Sequence, residues 1–99
     1  MQEKRQNRRV VIDIEVTCKP EGGEPYTAIA HDVSFGGIFI LSARTPEFGA
    51  AIDIEAQFPG QTKPLTFPAF VRWVNSEGFG VQFGLLGAKA THAITRLVK

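Results

Sequence analysis

Apolar and polar residues alternate along this chain in short stretches, and glycine and proline interrupt the alternation at close to regular intervals. Period two places alternate side chains on opposite faces of a pleated ribbon, so each stretch reads as a half-buried β-strand. Over residues 10–18, Val10, Ile12, Ile14, Val16 and Cys18 share one face, while Asp13, Glu15 and Thr17 share the other. Residues 19–25 hold Pro20, Gly22, Gly23 and Pro25 and form a loop. A second strand covers residues 26–31, and turn chemistry over residues 32–37 interrupts it. Residues 37–41 make a third strand, apolar enough for deep burial. A fourth runs through residues 51–58, with Ile52, Ile54, Ala56 and Phe58 together, and Pro59-Gly60 ends it. The fifth spans residues 65–75. Pro68 lies near its start, and a missing N–H is tolerated best at an edge or a bulge. Ser76-Glu77-Gly78 then turns into a sixth strand with Phe79, Val81 and Phe83 on one face, which predicts a hairpin.

The last segment changes period. Leu86, Ala90, Ala93, Ile94 and Leu97 recur at helical spacing with no proline among them, which predicts an amphipathic helix over about 86–98. Its apolar stripe suits a sheet or a barrel mouth. Short strands at near-regular spacing, closed by one helix, point to a small antiparallel barrel. The 99 residues suit one domain. The expected organisation is a flexible basic arm at residues 1–9 and a single barrel domain at residues 10–99.

Charge is unevenly placed. The net charge is only +1. Lys4, Arg5, Arg8 and Arg9 against Glu3 leave a local +3 in the arm, and the remaining seven basic and nine acidic residues leave −2. Such an arm seeks anions, namely nucleotide phosphate, nucleic acid or a membrane surface; the plain alternative is a solvated terminus. No apolar run approaches the ~20 residues of a membrane-spanning helix. The opening MQEKRQNRR lacks the apolar centre of a secretory signal. The expectation is a cytoplasmic protein with no membrane insertion. Cys18 is the single cysteine, and His31 and His92 stand apart, so neither an internal disulfide nor a metal site is expected.

Enzyme chemistry needs a positioned acid, base, nucleophile or metal. His31, Asp32 and Ser34 are neighbours in sequence, but along a strand His31 and Asp32 face opposite sides, and Ser34 is in no nucleophile elbow. A non-enzyme is expected. Phosphate binding is the more productive question. Gly36-Gly37 frees the backbone for positive φ, which can aim amide N–H groups at an anion, although glycine pairs also serve ordinary turns. Asp32 and Ser34, two apart, share a face if the strand persists; a carboxylate can accept from a guanine edge and a hydroxyl can donate to phosphate. The alternative is an Asx-turn in which Asp32 caps its own backbone. Arg5 and Arg9, four apart, can clamp phosphate or stack on a purine from either a helical or an extended arm.

Taken together, these residues resemble the two-part signature of PilZ domains. That signature is an arginine-xxx-arginine arm before the first strand and [Asp/Asn]-x-Ser-x-x-Gly after the second. Here the two parts are Lys4-Arg5-Gln6-Asn7-Arg8-Arg9 and Asp32-Val33-Ser34-Phe35-Gly36-Gly37. The start of a strand after Gly49, Val71-Arg72-Trp73-Val74 and Gly78-Phe79-Gly80-Val81-Gln82-Phe83 are similar to the family as well. The resemblance implies a six-stranded antiparallel β-barrel of split-barrel type with a C-terminal helix. It implies a cyclic di-GMP receptor or adaptor that takes the ligand as a monomer or an intercalated dimer. By resemblance, Arg5 and Arg9 contact phosphates and guanine faces, Asp32 and Ser34 bond guanine, and Gly37 keeps the turn open. Lys4, Arg8, Gly36 and Trp73 are lesser candidates. Lys4 departs from the family's frequent double arginine, since lysine neither stacks nor forks. Ligand capture is expected to change partner binding to an effector protein, or self-association as a homodimer, in the control of motility, surface attachment or exopolysaccharide. The rivals are a ligand-independent interaction adaptor, for example in pilus assembly, and general nucleic-acid binding; the latter fits poorly with a net negative body, so no DNA or RNA partner is expected.

Overall fold

A computed structural model describes residues 8–99. It contains six strands and one helix: β1 (Val10–Pro20), β2 (Tyr26–Val33), β3 (Gly37–Leu41), β4 (Ala51–Ala56), β5 (Leu65–Val74), β6 (Gly78–Phe83) and α1 (Ala88–Val98). All neighbouring strands are antiparallel, and they close into a barrel in the order β1-β2-β3-β6-β5-β4. The mainly β barrel with a C-terminal helix is therefore the architecture the alternating pattern predicts.

The inner face collects the apolar sets. Val16, Cys18, Ala30, Ile38, Ile40, Ile54, Ala69, Val71 and Phe79 are all buried, and Phe58, Phe67 and Phe83 interlock with ring centroids 5.4 to 5.9 Å apart. Ala90, Ala93, Ile94 and Val98 of α1 join the same core, and the helix packs beside β5. The helix starts at Ala88, two residues later than its periodicity suggests, because Gly87 holds extended backbone (φ −79°, ψ 174°) at its N-terminus. Leu86 still packs on the core from outside the helix.

Other boundaries also move. β2 continues through Asp32 and Val33 instead of stopping at His31, and the turn begins at Ser34. β4 ends at Ala56, so Phe58 reaches the core from the loop. Pro68 is at no bulge; it pairs in register with Asp53 of β4, and on its other side the ladder with β6 ends at Ala69, which leaves a local edge. Its carbonyl accepts from the Gly84 N–H, beyond the end of β6. N–H and C=O of one strand residue point to the same side. The donor proline lacks would thus have faced a neighbour that has already ended.

Three register shifts reshape the wall. On β1, Ile12 and Asp13 together oppose His31, and Asp13 takes a left-handed conformation with φ 46°. On β2, His31 is the extra residue against β3. The buried residues of β2 are Ala28, Ala30 and Val33; the last two are three apart, which leaves both His31 and Asp32 on the outer side. This corrects the expectation that they face opposite ways. On β5, Arg72 is the extra residue against β6.

The β3–β6 ladder is tight. A Cβ added at Gly37 would overlap the Val81 carbonyl, and one at Gly78 would overlap the Ile40 carbonyl. Backbone atoms yield less readily than side chains, so overpacking costs on the order of 1–3 kcal/mol. Gly78→Ala should lower unfolding stability by about that amount in denaturant titrations. Burial also pushes the Cys18 thiol up to about 11. At about pH 8 roughly one molecule in a thousand then carries the reactive thiolate. The folded protein should resist alkylation that proceeds to completion once it is denatured.

Candidate functional site

Strand register gathers residues that are distant in sequence. Val10 pairs with Val33, so Arg9 emerges beside Ser34. Gly37 pairs with Gln82, Val81 pairs with Val71, and Gly80 pairs with Trp73. The result is an open cavity of about 330 Å³ on the outer wall, lined by Arg9, Ser34, Gly36, Gly37, Arg72, Trp73, Val81 and Gln82. Its size is at the low end for small-molecule sites.

Of the residues singled out in the sequence, Arg9, Ser34, Gly36, Gly37 and Trp73 meet in this cavity. Asp32 stands behind Arg9, with Oδ1 3.6 Å from the guanidinium nitrogen. That oxygen is buried and has no hydrogen-bond partner among the described residues. Arg8 is exposed and does not line the cavity. Lys4 and Arg5 lie outside the described residues.

The turn works differently from the expectation. Neither Gly36 nor Gly37 has positive φ; the glycines that do are Gly22, Gly49 and Gly60. Gly37 is glycine because β6 passes too close for a side chain. The Gly36 N–H donates to Ser34 Oγ at 3.2 Å, so it is already engaged and is not aimed at an anion. The turn's side-chain bond thus belongs to Ser34 rather than to an Asx-turn at Asp32. β2 ends at Val33, so strand alternation does not relate Asp32 to Ser34; Ser34 is buried and Asp32 partly exposed. With Oγ accepting from Gly36, the Ser34 hydroxyl proton remains free to donate.

Trp73 forms a platform. Strict alternation after Phe67, Ala69 and Val71 would have buried it, but the shift at Arg72 brings it out to 42% exposure. Its indole stacks on Phe39, with centroids 5.0 Å apart and planes 13° from parallel. A Cβ at Gly80 would overlap the ring. Arg72 and Gln82 line the cavity and were not anticipated. The one sequence signal for them was Gly80, because a glycine inside a strand marks a bulge or a close approach.

One ion pair braces the wall beside the site. His31 Nδ1 donates to Asp13 Oδ1 at 2.6 Å across the β1 bulge. That hydrogen bond, with the charges of Asp13, Asp32 and Glu77, holds the His31 imidazole above its ordinary range against the opposing effect of desolvation. A folded-state pKa above the unfolded value means that the stabilisation is full below about pH 6.5 and lost as pH rises through the folded pKa. His31 should titrate above about 6.5 by NMR, and Asp13→Asn, which tolerates left-handed backbone, should lower that midpoint. Thermal midpoints of wild type and this variant should differ most at about pH 6 and converge toward pH 9.

A family model described as PilZ domain matches residues 3–99. Among solved structures, the Bacillus subtilis inhibitor of motility MotI/DgrA is similar at TM-score 0.79 and 20% identity, over 96% of this chain and 49% of that one. This chain thus spans about half the length of that protein. The PilZ domain of CeSA from a cellulose-synthesizing bacterium is similar at TM-score 0.70 and 18% identity, over 91% of this chain and 93% of that one. No curated protein matches. At these identities the structural likenesses bear on the fold alone.

Proposed function

Because the chain belongs to the PilZ domain family, whose members are in general binding and adaptor domains for cyclic di-GMP signalling, we propose that it is a cyclic di-GMP receptor and that the Arg9–Ser34–Trp73 cavity is its ligand site. The observation that carries this reading is the convergence of both signature motifs on one cavity, Arg9 from the first and Ser34, Gly36 and Gly37 from the second.

The chemistry of each group suits the ligand. The Arg9 guanidinium offers a planar fork to a phosphodiester. The Asp32 oxygen without a hydrogen-bond partner is an acceptor for a guanine N–H, and the Arg9 ion pair at 3.6 Å is long enough to yield to better bonds. The Ser34 hydroxyl donates to phosphate or base. The indole, backed by Phe39, offers a stacking face to a purine. Lys4 and Arg5 would complete the grip from the arm, trading chain entropy for charge-assisted hydrogen bonds. The covered wall and ordered arm then present a new surface to an effector protein or to a second copy of the chain.

Trp73 is the only tryptophan of the 99 residues, so its fluorescence reports on this cavity alone. Cyclic di-GMP should change that emission saturably and release measurable heat in calorimetry. Arg9→Ala should weaken binding about tenfold to a hundredfold, the worth of a charge-assisted bond. Asp32→Ala should relax selectivity for guanine over adenine dinucleotides. Absence of saturable binding at tens of micromolar would sink the reading, and capture of the same partner with or without dinucleotide would favour a ligand-independent adaptor.

A further inference from the structure

We propose that Arg72 is a ligand-contacting residue, a guanidinium fixed on the barrel wall that takes a phosphodiester while the adjacent Trp73 indole stacks on a base. The proposal rests on the cyclic di-GMP reading of the cavity and adds a residue that lies outside both signature motifs.

Placement is the first ground. The β5–β6 register runs from Val71↔Val81 directly to Trp73↔Gly80, which leaves Arg72 unpaired as the residue of a bulge. Val71 is fully buried, whereas Arg72 and Trp73 are both exposed, so two consecutive side chains emerge on the outer wall. Bulges re-aim side chains in this manner. An arginine and a tryptophan that regular alternation would send to opposite faces thereby line one cavity.

Charge is the second ground. Arg72 makes no ion pair among the described residues, in contrast to Arg9, which is held by Asp32. A guanidinium with no ion pair among the described residues, set beside an aromatic platform, is placed to meet an anion. Arg9 approaches from the start of β1 and Arg72 from β5, with β2, β3 and β6 between them in the wall. A ligand with two separate phosphodiesters can offer one to each guanidinium, whereas a mononucleotide has a single phosphate for the two. Arg72 therefore sets a preference for the dinucleotide over guanosine monophosphate.

The test is calorimetric titration of cyclic di-GMP and of guanosine monophosphate into the full chain, for wild type, Arg72→Ala, Arg72→Lys and Arg96→Ala. Arg96 is an exposed arginine at the far end of α1, outside the cavity. Arg72→Ala should bind cyclic di-GMP about tenfold more weakly, with an unchanged thermal midpoint and a salt dependence shallower by about one unit of slope. Arg72→Lys should fall between, since lysine keeps the charge without the fork. Arg96→Ala should match wild type. Wild-type affinity and salt slope in a folded Arg72→Ala would overturn this proposal and leave the receptor reading standing. Failure of the wild type itself to bind would overturn both.

Discussion

The β3–β6 ladder is the contact on which the rest of the molecule depends. These strands are far apart in sequence, yet their pairing closes the barrel and joins the Ser34–Gly37 turn to the Arg72–Trp73 bulge through a single intervening strand. Two glycines at its ends let the backbones approach: Gly37 faces the Val81 carbonyl and Gly78 the Ile40 carbonyl. Ile38, Ile40, Phe79 and Val81, buried between those ends, supply the apolar gain that holds the ladder shut. Gly37 therefore belongs to the fold as much as to the site. A side chain there would push β6 away and widen the cavity that Gln82 and Trp73 share with it.

Local pattern carried most of the architecture. Most strands were visible as period-two runs because one face meets core and the other does not; β3 was visible as a short apolar run, and α1 as a change of period. Positions where the pattern depends on a neighbour were not visible. Trp73 continues the alternation of Phe67, Ala69 and Val71, which would turn it inward; it is outside because β6 gives Arg72 no partner. His31 and Asp32 alternate in sequence yet share the outer wall, because β1 and β3 both slip at His31. Asp13 has no glycine to announce its left-handed backbone. A register shift is a property of two strands, and one strand's composition does not encode it.

The site was legible to the same extent. The motif residues Arg9, Ser34, Gly36 and Gly37 converge as the family resemblance implied, since a hairpin joins the two segments and their register sets Arg9 beside Ser34. The roles expected of the glycines were not those the structure shows. Gly36 spends its N–H on Ser34, and Gly37 makes room for a strand instead of turning a corner. Arg72 and Gln82 arrive from the opposite side of the ladder. Gly80 marks a close approach near them, but it does not announce that they share a cavity with residue 9.

Closure of the barrel also limits how this protein can be recognised. An open sheet offers a partner a row of unpaired backbone groups, and an extended peptide can bind by adding a strand. Among residues 8–99 every strand has a neighbour on both sides, so that mode is confined to the short stretches where one ladder ends before the other. One place where a ladder runs out, beside Pro68, lacks the N–H that an added strand would need, and another is residues 10–15 of β1, which have no partner on β4. A partner therefore reads chiefly side chains, turns or α1. Recognition of this chain is a matter of surface chemistry, and changes in the outer wall reach a partner without any strand having to be exchanged.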